Sequence, residues 1–275
     1  MNNLEAYKMD GLGNDFIIFD RRDKSISLSK DQIIKISDRN NIGCDQVIFI
    51  DKDKTGNLFI KFYNSDGGET SACGNGIRCI AYLLMKENKI NKISLKTKVG
   101  ILEAQLNEKN LTTVNMGKPN FEWDKIPLIK KMNYKNLKIK IDGDDGKEII
   151  GGFSLNVGNP HIIFFVENLN NFNLKKIGPQ IENHIFFPEK CNVTFANINN
   201  RKHLKLKVWE RGAGLTKACG TAACAAAVAG AVLNLSEKHV DIEFEQGLLE
   251  IHWKKDNNIY MTGKVSEVKK IRVNI

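Results

Sequence analysis

Two cysteines stand in the same short context, Ala72-Cys73-Gly74 and Ala218-Cys219-Gly220. Each opens a run with helical spacing, so each thiol falls at a helix start. The first turn of a helix has backbone N–H groups without partners and a positive partial charge, which lowers a thiol pKa from about 8.5 towards neutrality. Glycine after each cysteine lets another molecule approach those N–H groups. A carboxylate held at two such starts would have one thiol on each side of its α-carbon. A thiolate base on one face, a thiol acid on the other and N–H donors for enolate-like charge are what proton exchange at a stereocentre requires. A single free cysteine is more often a small buried apolar residue. Duplication beside open glycines favours chemistry here.

Cys79 and Cys224 project from other sides of the same helices and read as core. Cys44 and Cys191 stay open between a structural thiol and a place near the site, with the structural reading preferred. With six cysteines and no Cys-x-x-Cys pair, free thiols in a reducing compartment are expected. The five histidines, His161, His184, His203, His239 and His252, are isolated from one another and from the cysteines, so no metal is expected. Neither a phosphate-cradling glycine loop nor a cofactor-linking lysine context is present, so no cofactor is expected.

The elements that must position the thiols come in two copies. Gly13-Asn14-Asp15-Phe16-Ile17-Ile18-Phe19 returns as Gly158-Asn159-Pro160-His161-Ile162-Ile163-Phe164. Gly100-Ile101-Leu102-Glu103 returns as Gly247-Leu248-Leu249-Glu250, and Gly117-Lys118 as Gly263-Lys264, at nearly the spacing of Cys73 to Cys219. Blocks in one order at near-constant spacing indicate an internal duplication. Alternating and β-branched runs predict strands over 15–18, 46–50, 58–63, 93–97 and 101–106, and over 155–157, 162–166, 204–209, 240–244 and 248–253. Long helices are predicted from Gly74 to about 87 and from Gly220 to about 233, the latter so rich in alanine that it can pack on all sides. Shorter helices are expected over about 30–40 and 174–183.

The expected class is α/β (α+β): two pseudo-symmetric domains, each a mostly antiparallel sheet or barrel wrapped around a central helix, with an active-site cleft between them. The expected domains are 1–117 plus 265–275, and 118–264 with 118–145 as connection. The 275 residues, 42% apolar and 27% charged, suit one large or two ordinary domains and exclude collagen-like, disordered and coiled-coil chains. The formal charge is +9, but the lysines are scattered from Lys8 to Lys270 without a basic block, so no nucleic-acid partner is expected. No basic segment followed by an apolar one opens the chain, and the longest uncharged apolar run, Ala222 to Leu233, is too short to span a bilayer. The expected location is the cytoplasm, with no membrane partner.

Lys8-Met9-Asp10-Gly11-Leu12-Gly13-Asn14-Asp15-Phe16, Tyr63-Asn64-Ser65-Asp66-Gly67, Ala72-Cys73-Gly74-Asn75-Gly76-Ile77-Arg78-Cys79, Gly158-Asn159-Pro160-His161 and Glu210-Arg211-Gly212-Ala213-Gly214 with Ala218-Cys219-Gly220-Thr221 resemble the signature blocks of diaminopimelate epimerases. The resemblance runs through nearly the full chain. It implies a cofactor-independent isomerase interconverting LL- and meso-2,6-diaminopimelate on the lysine and peptidoglycan route, usually a homodimer. It makes Cys73 and Cys219 the acid/base pair, and the backbone N–H groups of Gly74, Asn75, Gly220 and Thr221 the holders of the reacting carboxylate. Asn14, Gln46, Asn64, Asn159, Asn192, Glu210 and Arg211 would bind the rest of the substrate, while His161 and Glu210 tune the thiols. Asp10 and Leu215 stand where the family usually has His and Glu, and Lys269 where it has an interface aromatic.

Two other functions fit parts of the pattern. A related two-cysteine racemase or epimerase acting on proline or hydroxyproline shares the chemistry, but would have no distal zwitterion for Glu210 and Arg211. A non-enzymatic thiol redox sensor would use Cys73 and Cys219 as an oxidisable pair.

Overall fold

β-Branched and aromatic runs build the sheets, while a run bearing Ile, Leu and Met after Cys73 and an alanine-rich run after Cys219 build the two long helices. The computed structural model describes residues 3–70, 73–144, 146 and 148–274, so Ala72 of the repeated block lies outside the described residues. By internal contacts the chain divides into two compact units, one running to Asn115 and resuming at Gly263, the other spanning Met116–Thr262.

In chain order the first unit contains β1 (Asn3–Gly11), β2 (Asn14–Asp20), α1 (Lys30–Ser37), β3 (Gln46–Lys52), β4 (Leu58–Asn64), β5 (Glu69–Thr70), α2 (Gly74–Asn88), β6 (Lys92–Thr97), β7 (Gly100–Leu106) and β8 (Thr112–Asn115). The second contains β9 (Ile139–Asp142), β10 (Glu148–Gly151), β11 (Phe153–Asn156), β12 (Pro160–Phe165), α3 (Leu174–Glu182), β13 (Asn192–Asn200), β14 (His203–Glu210), β15 (Gly214–Thr216), α4 (Gly220–Val232), β16 (His239–Phe244), β17 (Gly247–Trp253) and β18 (Ile259–Gly263). The last strand, β19 (Lys269–Asn274), pairs antiparallel with β1 from Lys8↔Lys269 to Asn3↔Asn274.

In the first unit β1 is antiparallel to β2, β2 parallel to β3, β3 antiparallel to β4, β4 parallel to β6, and β6–β7–β8 antiparallel. The second repeats that order of senses through β11, β12, β13, β14, β16, β17 and β18. Each sheet is therefore mostly antiparallel with two parallel ladders. Helix α2 packs against β1, β2, β6, β7 and β8, and α4 against β11, β12, β13, β14, β16 and β17, so each sheet curves around its own helix.

The two helices reach that position differently. Gly76 lets the α2 backbone settle on the sheet: a Cβ there would stand 2.8 Å from Phe62 and 3.0 Å from Ile48. In α4 small side chains do the same along the whole length, and every residue from Ala222 to Gly230 is buried. Residues 118–145, expected as connection, instead feed the core of the second unit with Ile126, Leu128, Leu137, Ile139 and Ile141. Strand β1 escapes the alternation test because its buried residues are Ala6, Met9 and Gly11, a spacing set by half-exposed neighbours.

Candidate active site

The registers bring polar ends of strands to one sheet edge in each unit. In the first, Phe16 pairs with Gln46 and Gln46 with Asn64, so the starts of β2 and β3 lie beside the end of β4. Asn14 opens β2, and the Gln46 Nε2 donates to Asn64 Oδ1 at 2.8 Å. In the second unit His161 pairs with Asn192 and Val193 with Trp209, setting Asn159, Asn192 and Glu210 along the equivalent edge.

Each candidate thiol is the N-cap of its helix. Cys73 has φ −133 and ψ 117, and Cys219 has φ −135 and ψ 118, with neither side chain capping its helix. The Cys73 carbonyl accepts from Ile77 N at 2.8 Å and that of Cys219 from Ala223 N at 3.0 Å. The amides of Gly74, Asn75, Gly220 and Thr221 belong to first turns and have no intrahelical partners.

Around Cys73 the groups are amides. The sulfur donates to Asn14 Oδ1 at 3.4 Å, and Asn75 Nδ2 donates to the same oxygen at 3.4 Å. Asn14 Nδ2 in turn donates to Asp45 Oδ2 at 2.9 Å. Arg39 holds this corner, donating to both Asp15 oxygens at 2.8 Å and to Asp45 at 2.5 Å. Burial alone would raise the Asp15 carboxyl, but the Arg39 hydrogen bonds and charge outweigh it and keep it below its ordinary value. Asp10 caps the turn before Asn14 by accepting from Gly13 N at 3.1 and 3.2 Å.

Around Cys219 the groups are a hydroxyl and a carboxylate. Its sulfur lies 3.3 Å from Thr221 Oγ1, and Glu210 faces it while accepting from Thr216 Oγ1 at 2.5 Å. Burial pushes the Cys219 thiol well above its ordinary value and the Glu210 charge adds to the rise, while Thr221 and the Ala222 amide pull the other way. The acidification expected from the helix start is thus outweighed at Cys219, because desolvation of a thiolate exceeds the effect of a few N–H dipoles.

His161 is fully buried, and its Nε2 is 2.8 Å from Asn159 Oδ1. Burial, with Arg211 nearby, lowers its pKa to about 3, so the ring is neutral and donates through Nε2 to the amide oxygen. Glu210 therefore acts on Cys219 directly, and the contact of His161 is with Asn159. Asn192 spends its side chain on the backbone, donating to Pro160 O at 3.0 Å and accepting from Arg211 N at 3.0 Å. Arg211 Nη1 donates to Glu189 O at 2.8 Å. Leu215 is an exposed residue of β15, and Lys269 an exposed first residue of β19.

Other residues that hold this machinery escaped the sequence reading. Arg39, Asp45 and Thr216 are introduced by their partners, which sequence spacing does not show. Glu182 reaches from α3 to take Trp209 Nε1 at 2.7 Å and Gly212 N at 3.1 Å, fixing the turn that carries Glu210 and Arg211. The remaining thiols are core: Cys44, Cys79, Cys191 and Cys224 are buried. Burial pushes Cys44 up to about 11 and raises Cys79 and Cys191 further. Among the described residues no cluster of His, Cys, Asp and Glu could hold a metal, and no helix is long and apolar enough to cross a membrane.

Comparison with known proteins fits this arrangement. The diaminopimelate epimerase family model matches residues 6–122 and 153–268. A diaminopimelate epimerase of Pelagibacter ubique strain HTCC1062 is 53% identical over 99% of this chain and 100% of its own. One from Caulobacter sp. strain K31 is 40% identical over 94% of this chain and 93% of its own. Among solved structures, a phenazine biosynthesis protein of the PhzF family from Bacillus anthracis aligns at a TM-score of 0.70 and 17% identity over 100% of both chains. A hydroxyproline epimerase from Agrobacterium vitis aligns at 0.67 and 11% identity over 99% of this chain and 93% of its own. At such identities the last two share the fold alone.

Proposed function

The chain belongs to the diaminopimelate epimerase family, and from that premise we propose that Cys73 and Cys219 are the two proton-transfer groups that interconvert LL- and meso-2,6-diaminopimelate without a cofactor. The reaction serves lysine and peptidoglycan-precursor synthesis. The observation that carries the assignment is the pair of cysteine N-caps in matching backbone conformations, each heading a helix whose first amides are available to an anion.

A thiolate at one cysteine takes the α-proton, and the C–H electron pair moves into the carboxylate as enediolate-like charge. The S–H of the other cysteine gives its proton to the opposite face of the α-carbon, and the reverse reaction exchanges the roles. The amides of Gly74, Asn75, Gly220 and Thr221 hold the reacting carboxylate where that charge develops. Glu210 suits an ammonium and Arg211 a carboxylate, and Asn14, Gln46, Asn64, Asn159 and Asn192 serve either as donors or acceptors. His161, as a neutral ring on Asn159, tunes this edge. We read the working protein as a cytoplasmic homodimer, on family membership alone.

The test is incubation of the reduced protein with LL-diaminopimelate in D₂O without added cofactor. The expected result is meso product carrying α-deuterium. Meso product without solvent deuterium would overturn the two-thiol mechanism, and no product would overturn the substrate.

A further inference from the structure

Arg78, in the second turn of α2, is wholly buried at 0% exposure. Its Nη1 donates to Asn75 Oδ1 at 2.8 Å, an i, i+3 contact along one helix face. An arginine has donors only, so this contact decides which end of the Asn75 amide is which. With Oδ1 taken by the guanidinium, Nδ2 donates to Asn14 Oδ1, and Asp45 holds Asn14 Nδ2 from the other side. The Asn14 oxygen is left facing the Cys73 sulfur as an acceptor.

The fold makes room for the pair. A Cβ on Gly11 of β1 would stand 3.2 Å from both Arg78 Nη2 and Asn75 Cβ. Such a contact is closer than neighbouring atoms tolerate without shifting. In α4, Thr221 takes the place of Asn75 and Cys224 that of Arg78, and α4 carries no charged side chain.

Resting on the two-thiol reading above, we propose that Arg78 is a positioning residue for Cys73 alone, locking the Asn75 and Asn14 amides so that an oxygen and not an N–H group meets the sulfur. An acceptor at that place favours S–H, whereas an amide N–H would favour the thiolate. The other charged groups around this network are Lys8 and Asp10 of β1, Asp15 of β2, Asp45 before β3 and Arg39 after α1.

The test is Arg78→Lys, which keeps the charge but loses the planar fork. Iodoacetamide labelling of each cysteine is followed by mass spectrometry across pH, without substrate. The expected result is a Cys73 midpoint lower by about half a unit to one unit, roughly three- to tenfold more thiolate at fixed pH, with Cys219 unmoved. Gly11→Ala reaches the same pair from β1 and should give the same Cys73-specific change. A lowered melting temperature with both midpoints unchanged, or both thiols moving together, would show a structural role and overturn the proposal. Loss of fold in both variants would overturn it as well, since positioning requires a folded protein with one altered thiol. Labelling is read without diaminopimelate, so its outcome stands apart from that of the exchange experiment in D₂O.

Discussion

The two cysteine-headed helix starts have backbones that agree within a few degrees and surroundings that do not agree at all. Cys73, partly exposed, sits among amides with a buried guanidinium behind them; Cys219, buried, sits beside a hydroxyl and a carboxylate. A pseudo-symmetric frame delivers the same atom twice, and side chains then make the copies chemically distinct. Two-base proton transfer needs one thiolate and one thiol at a time, with the roles exchanged in the reverse direction, and unlike surroundings bias which of the two holds the proton.

The sharpest way to break the comparison is to remove one thiol at a time. Cys73→Ala and Cys219→Ala are each expected to lower epimerisation at least ~10³-fold, about 4 kcal/mol of transition-state stabilisation. The measurement is the initial rate of meso product from the LL isomer. Comparable losses in both variants mark equal partners, and turnover retained in either breaks the pairing.

The histidine part of any acid effect falls on one unit, since all five histidines lie within Met116–Thr262. His161 has its folded pKa depressed to about 3. Above the unfolded value of about 6.5 its stabilising contribution is complete; as pH falls towards the folded value, protonation of the unfolded chain removes it. Between pH 7 and 4.5 that amounts to about 3 kcal/mol. The urea midpoint should be clearly lower at pH 4.5 than at pH 7 for the wild type, and lower by much less for His161→Gln.

A smaller change sharpens the electrostatic half of the comparison. Glu210→Gln removes the charge that adds to the rise burial causes at Cys219, so its alkylation midpoint should drop while that of Cys73 stays put. Thiol labelling across pH reads both at once. An unchanged Cys219 midpoint would assign its raised pKa to burial alone.

The sequence showed whatever repeats locally. Cys73 and Cys219 announce themselves because the glycine that follows, the helical run and the block order all return together, and α2 and α4 begin at Gly74 and Gly220 as the pattern predicts. The alignment of Gln46 with Asn64, and of Asn192 with the end of β14, depends on strand register, which single-sequence patterns do not specify. Those residues came from the family resemblance. Arg78 looks like an ordinary surface charge in a helix until its burial is seen, and Glu182 likewise near the end of α3. Residues 118–145 misled for a related reason: apolar residues such as Ile126 and Leu137 are diluted by Lys and Asn, so no period emerges although they pack in the core.

The pairing of β19 with β1 has a consequence for synthesis. The second unit is one continuous stretch and can fold as soon as Thr262 clears the ribosome, whereas the first places its last strand against its first and stays open until Asn274 has been added. Domains usually fold in the order in which they emerge, and pairing over so long a loop is slow. The unit begun first is therefore finished last, and a chain truncated before β19 would leave the edge of β1 unpaired beside the strand that carries Asn14.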